Sequence, residues 1–261
     1  MKTQFTCYFC GGKRFWKIRR NHLKCKSCRR ELTCNLGNLH LSKYQWRKII
    51  QWFVLEQSSN KIQEQTTVSK YCILKALLKL RQQMLLDIPK VFVGKVEVDE
   101  TYLGGQWKNK RLAIKAKLPK AKRGRGTNKQ PVFGILCRSG KVWAELIENV
   151  EAKSLQPLIQ KQVEKGSTIY SDTWRGYTGI ASKGYVHRLV EHKKEYVSKS
   201  GSHINGLEGF WGYLKRKLVA KGGIRKSRLH LYLGEYVWRY NHRNLNIKEQ
   251  TKYLLNLVAK F

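Results

Sequence analysis

The stretch Lys90-Val-Phe-Val-Gly-Lys-Val-Glu97-Val-Asp99-Glu100-Thr-Tyr-Leu-Gly-Gly105 alternates valines with polar residues and then runs into acids. Val91, Val93, Val96 and Val98, with Phe92, predict a strand whose far end carries three carboxylates. Residues two apart on a strand face the same way, so Glu97 and Asp99 share a face and Glu100 takes the other. Acids packed this closely repel one another, and a divalent cation neutralises them better than solvent does. Such acids stand out because they are scarce: the chain carries 53 Lys and Arg against 17 Asp and Glu, a net charge of +36.

A surplus of that size exceeds what solubility requires. It points to a polyanion partner, DNA or RNA, since cationic side chains that neutralise phosphates release condensed counterions and so drive binding. The 261 residues are enough for two or three domains, including a catalytic core of about 150 residues. No charge-free apolar run approaches the roughly 20 residues of a membrane span. The N-terminus lacks the apolar segment of a signal peptide. The cysteines are odd in number and four of them form a metal pattern, which argues for a reducing cytoplasm and against a disulfide scaffold. The expected location is therefore cytoplasmic, on the nucleoid when DNA is bound, with no membrane partner.

Downstream of the acidic strand, residues 107–129 are dense in Lys and Arg, including Arg123 and Arg125, and hold no acid. They read as a mobile basic loop lying along a nucleic-acid backbone. Pro131 to Ile147 is a β-hairpin turning at Arg138-Ser-Gly-Lys141. A helix over about 152–164 follows, with Leu155, Leu158, Ile159 and Val163 inward. The short strand in Ser167-Thr-Ile-Tyr-Ser-Asp172 then ends in a second exposed acid. After a further strand near 185–190 comes His203-Ile-Asn205-Gly-Leu-Glu208-Gly-Phe-Trp-Gly-Tyr-Leu-Lys215, where Leu207, Phe210, Trp211, Leu214 and Leu218 mark one buried helix face. Glu208 lies beside that face, and Lys215 projects in nearly the same direction two turns on. A closing amphipathic helix is expected over Leu229, Leu233, Tyr236, Val237 and Tyr240. This order predicts an α/β (α+β) domain, a mixed sheet flanked by helices.

Upstream, Cys7-x2-Cys10 and Cys25-x2-Cys28 have the spacing of a structural Zn(Cys)4 ribbon, set among Lys and Arg with Phe15 and Trp16, while Cys34 reads as a spare thiol. Residues 39–88 read as helical. Ser42-x-x-Gln45 forms a capping box, and a later basic helix holds Val68, Tyr71, Cys72, Leu77 and Leu78 inward, an order compatible with a helix-turn-helix DNA reader. The domain boundaries are thus 1–38, 39–88 and 89–261.

Asp99, Asp172 and Glu208 come from separate elements, and three converging carboxylates with oxygen-only ligation favour Mg2+ or Mn2+. A pair of such ions about 4 Å apart serves in-line phosphoryl transfer, with Lys215 on a DNA phosphate. His203 and Asn205 are either cap and packing residues or position DNA beside Glu208. These segments resemble DDE-type insertion-sequence transposases that carry an N-terminal zinc ribbon (the ISXO2-like group). The resemblance runs through Val96-Glu-Val-Asp99-Glu-Thr-Tyr-Leu-Gly-Gly105, Tyr170-Ser-Asp172, His203-x-Asn205-x-x-Glu208 with Lys215, and Tyr232-Leu-Gly-Glu235-Tyr-Val-Trp-Arg239-Tyr-Asn241-His-Arg243. It implies an RNase H-like core and Mg2+-dependent cleavage of transposon ends, with joining of the 3′-OH to target DNA. It also implies that the ribbon and helical region recognise terminal inverted repeats, and that the protein forms a homo-oligomer on paired ends. Two other classes compete: a zinc-ribbon DNA-binding regulator without catalysis, against which the retained acids argue, and an RNase H-like nuclease without a transposition role.

Overall fold

The structure, a computed structural model, describes residues 7, 10–19, 22–33, 39–105, 112–117, 129–190 and 205–259. The chain divides into two compact units, Met1–Leu86 with His242–Phe261, and Asp87–Asn241.

The first unit opens with a three-stranded antiparallel sheet, β1 (Phe15–Arg19), β2 (His22–Cys25) and β3 (Glu31–Thr33), in that spatial order. Helices α1 (Lys43–Val54), α2 (Ser59–Glu64) and α3 (Lys70–Leu86) follow. The expected capping box is formed: Ser42 Oγ accepts from the Gln45 N–H and Gln45 Oε1 from the Ser42 N–H. The inward face of α3 differs from expectation. Ile73, Ala76, Leu77, Leu80 and Met84 are buried, whereas Tyr71 is 66% exposed and Cys72 and Leu78 are half-buried. Two overlapping apolar stripes are available at the start of α3, and the one that continues through Leu80 and Met84 buries more turns.

In the second unit β4 (Lys95–Leu103) begins after Gly94, so Val91 and Val93 precede the strand and are exposed. The basic segment expected as a loop contains a short helix, α4 (Leu112–Lys117), with Leu112 exposed. Arg123 and Arg125 lie outside the described residues, as does Cys34. The hairpin is β5 (Gln130–Cys137) and β6 (Val142–Leu146), followed by α5 (Ala152–Gln162), β7 (Thr168–Ser171) and β8 (Val186–Leu189). The sheet order is β6-β5-β4-β7-β8, antiparallel through β6, β5 and β4 and parallel through β4, β7 and β8. An antiparallel meander continued by two parallel crossover strands is the RNase H-like arrangement. Helix α6 (Asn205–Val219) packs on β4 and β5, and α7 (Leu229–Asn241) packs on β6.

Helix α7 is not amphipathic as expected, since Leu233 through Arg239 are all buried. It can bury its polar residues because they are paired: Arg239 Nε donates to Glu235 Oε1 at 2.9 Å, one turn away. At its end, the Asn241 side chain accepts from the Val142 N–H (2.7 Å) and donates to the Val142 C=O (2.8 Å), covering both backbone groups on β6. An eighth helix, α8 (Ile247–Ala259), was not foreseen. It is capped reciprocally by Asn246 and Glu249 and buries Thr251, Leu254, Leu255 and Val258. It packs against α1 and α3, so residues 242–261 group with the first unit, where the sequence had grouped 89–261 together.

Asn241→Ala strands two buried backbone groups of Val142, and the unfolding free energy is expected to fall by about 2–3 kcal/mol. Urea denaturation with an unchanged midpoint would refute the clasp.

Candidate active site

The site begins with register. β4 and β7 run parallel with Lys95 level with Thr168, Val96 with Ile169 and Glu97 with Tyr170. Continued two residues beyond the last pair, the same offset points Asp99 toward Asp172, the first residue past β7, and the two carboxylates are close enough for Asp172 to raise the pKa of Asp99. Adjacent strands lie about 4.8 Å apart, so two acids from distant parts of the chain become neighbours. The turn after β7 is pinned: Asp172 Oδ1 accepts the Trp174 N–H at 3.0 Å, and the Trp174 indole donates to the Val150 C=O at 2.9 Å. On α6, the Trp211 indole N–H donates to Asp99 Oδ2 at 3.0 Å. Glu208, exposed, precedes Trp211 by three residues and so lies on the same side of the helix. The Trp211 ring lies on Gly134, which pairs with Asp99 across β5, and a Cβ there would stand 2.6 Å from the ring. Only glycine leaves room for it.

Residues 92–241 match the family described as the ISXO2-like transposase domain. The chain belongs to this family. It is 35% identical over 118 residues to an uncharacterized transposase-like protein of Haemophilus influenzae, covering 45% of this chain and 94% of that protein. Among solved structures it is similar to the catalytic core domain of BIV integrase (14% identity, 58% of this chain, 85% of that one, TM-score 0.36). It is also similar to the Mos1 transposase paired-end complex with left transposon end (12% identity, 86% and 81%, TM-score 0.26). These likenesses are distant, and the fold is read from the strand order itself.

In this family member the acids on β4 are treated unequally. Glu97, on the α6 side, is buried, accepts the Leu207 N–H at 3.0 Å and faces Arg138 Nε at 3.5 Å. Glu100 accepts from the hydroxyl of the fully buried Tyr177 at 2.7 Å. Burial and the surrounding carboxylates, Glu100 foremost, push the Tyr177 hydroxyl well above its ordinary pKa. Asp99 is pushed up to about 7, first by burial and then by repulsion from Glu100 and, more weakly, Asp172, against hydrogen bonds from the Glu100 backbone and Trp211. Lys215 is lowered, mainly by burial; the field of Asp99 opposes this and that of Lys129 adds to it. Of the residues predicted from sequence, Asp99 and Asp172 are therefore brought together, Glu208 is on the helix tied to Asp99, and Lys215 is within electrostatic reach. Asn205 is exposed at the start of α6, and His203 lies outside the described residues. Trp211, expected only as packing, proves to be a hydrogen-bond donor to Asp99. Its indole N–H needed a partner, which was the available signal.

Among the described residues, the one set of three or more His, Cys, Asp or Glu ligand atoms within 4.8 Å of one another is the cysteine quartet. Asp99, Asp172 and Glu208 offer oxygen ligands only, a donor set that would suit a divalent cation. The quartet fits zinc more tightly. Sulfurs bound tetrahedrally at about 2.3 Å stand about 3.8 Å from one another. Here Cys7 and Cys28 Sγ are 3.7 Å apart, and Cys10 and Cys25 Sγ 3.6 Å. Backbone N–H groups, that of Cys28 foremost, draw the Cys25 thiol down to about 6 against the effect of burial. Gly12 presses close enough that a Cβ would meet Cys25 Sγ at 3.1 Å.

The folded pKa of Asp99 lies above the ordinary carboxylate value of 3.8, so the carboxyl favours folding at acid pH and loses that contribution as pH rises to about 7. In chelator, the melting temperature of Asp99→Asn relative to wild type is expected to climb over this range, and a constant difference would contradict the assignment. Separately, Cys25→Ser is expected to surrender zinc to a chelator that wild type resists, read by metal analysis after dialysis. Equal retention would overturn the ribbon.

Proposed function

We propose that this protein is the transposase of a bacterial insertion sequence and that Asp99, Asp172 and Glu208 form its catalytic site. The observation that supports the reading is the β4–β7 register, whose continuation points Asp99 toward Asp172, beside a helix hydrogen-bonded to Asp99. The three carboxylates would hold Mg2+ or Mn2+, which supplies the charge needed for in-line phosphoryl transfer on DNA. Trp211 orients Asp99, and Trp174 fixes the turn that presents Asp172. Lys215 meets a phosphate of the DNA end. Asn205, with His203, Arg123 and Arg125, would contact the same DNA.

The first unit would grip the transposon ends. On the zinc ribbon Trp16 and Ile18 are exposed, with Lys26 Nζ 5.5 Å from the Trp16 ring. On α3 the outer face carries Tyr71 and Leu74, with Lys75 Nζ 4.3 Å from the Tyr71 ring. Cations interleaved with exposed aromatics suit phosphates and base edges, and the net charge of +36 favours such a partner. The ends would be terminal inverted repeats, cleaved and then joined through their 3′-OH groups to target DNA by a homo-oligomer. The chain would work in the cytoplasm, on the nucleoid; among the described residues no helix is long and apolar enough to cross a membrane.

Labelled transposon ends, target DNA and Mg2+ test this. Asp99→Asn, Asp172→Asn and Glu208→Gln are each expected to cut joining by at least about a hundredfold while end binding stays within a few-fold. Normal joining by any variant removes that residue from the site.

A further inference from the structure

We propose that Glu97 is a positioning residue for the third acid: its buried carboxylate caps α6 from the sheet and so sets where Glu208 stands. The inference rests on the reading of Glu208 given above. A helix leaves its first N–H groups without partners inside the helix, and the third is ordinarily taken by a side chain just before the helix. In α6 that third N–H, of Leu207, goes to Glu97 Oε2 at 3.0 Å, from a residue 110 positions away in the chain. Glu97 is 1% exposed. Its charge is supported by the positive end of the α6 dipole and by Arg138, whose Nε stands 3.5 Å from Oε1. Arg138 in turn lies 4.0 Å over the ring of Tyr170, the residue level with Glu97 on β7. One carboxylate therefore ties β4 to α6 and to the turn that follows β5.

The approach is close. A Cβ at Gly206 would lie 3.0 Å from Glu97 Oε2 and 3.2 Å from Leu136 Cδ2. Helix α6 is consequently held to β4 at two points, Leu207 to Glu97 and Trp211 to Asp99, and these bracket Glu208. Without the first, the helix can pivot about Trp211 and carry Glu208 away from Asp99 and Asp172. Two-point attachment fixes an angle where a single contact fixes only a distance.

The test uses the full chain with two readouts: amide hydrogen exchange over 205–211 without metal or DNA, and Mn2+ binding by the free protein followed by electron paramagnetic resonance. In Glu97→Ala, protection over 205–211 is expected to fall at least about tenfold while β5 keeps its protection. The Mn2+ concentration for half-saturation should rise at least about threefold. Glu97→Gln, which keeps a carbonyl acceptor, should fall between that variant and wild type. Gly206→Ala, which pushes on the carboxylate, should shift both readouts in the same direction with Glu97 intact. Wild-type protection in the Glu97 variants overturns the cap, and lost protection with unchanged Mn2+ binding reduces Glu97 to a purely structural role. If Glu97→Ala does not fold, Glu97→Gln and Gly206→Ala decide. Mn2+ binding that Asp99→Asn leaves untouched would defeat the metal-site reading itself, and exchange would still judge whether Glu97 holds α6.

Discussion

Negative charge gathered within β4, at Glu97, Asp99 and Glu100, is the constraint to which the second unit answers. Glu97 is met by a helix N-terminus and a guanidinium, Glu100 by a buried tyrosine hydroxyl, and Asp99 by an indole and a backbone N–H. The first two are held by groups that favour a fixed geometry. The third remains strained, with its proton held up to about pH 7. A protein that stabilised all three equally well would have little use for a cation there. Leaving one carboxylate short of positive charge sacrifices stability locally, and under the proposed function a divalent cation would supply what is missing.

The packing around that strand follows from the same need. Trp211 reaches Asp99 only because Gly134 leaves its ring a seat on β5. Tyr177 reaches Glu100 because the chain after Asp172 turns back under Trp174. In the first unit the order of construction is reversed. Among the described residues the ribbon's core is Cys7 and Cys25 with Phe15 and Cys28 packed against them, so four converging sulfurs take the place that apolar area holds in a larger domain.

Much of this was legible in the chain. Val96 and Val98 marked β4, the turn residues marked the hairpin, and the Cys-x2-Cys pairs marked the ribbon, whereas Val91 and Val93 extended the valine pattern beyond the strand. The order of strand, hairpin, helix, strand and strand gave the mixed sheet, because each is a local pattern with a local cause. What escaped depended on tertiary partners. α7 reads as amphipathic until Glu235 and Arg239 are seen to satisfy each other within the core. The inward face of α3 was a choice between two stripes that only the neighbouring helices decide. Helix α8 is the exception, since Asn246-x-x-Glu249 and the spacing of Thr251, Leu254, Leu255 and Val258 announce it locally. Glu97 could be placed on the same strand face as Asp99, but nothing in sequence links it to an amide 110 residues away.

The Asn241 clasp has a further consequence. β6 is the outermost strand of its sheet, and an outermost strand offers unpaired amides and carbonyls to any extended segment that drifts near. By occupying both groups of Val142 with its own side chain, Asn241 interrupts that row near its start. While the clasp is closed, a stray strand from a second copy cannot pair with the sheet through this residue.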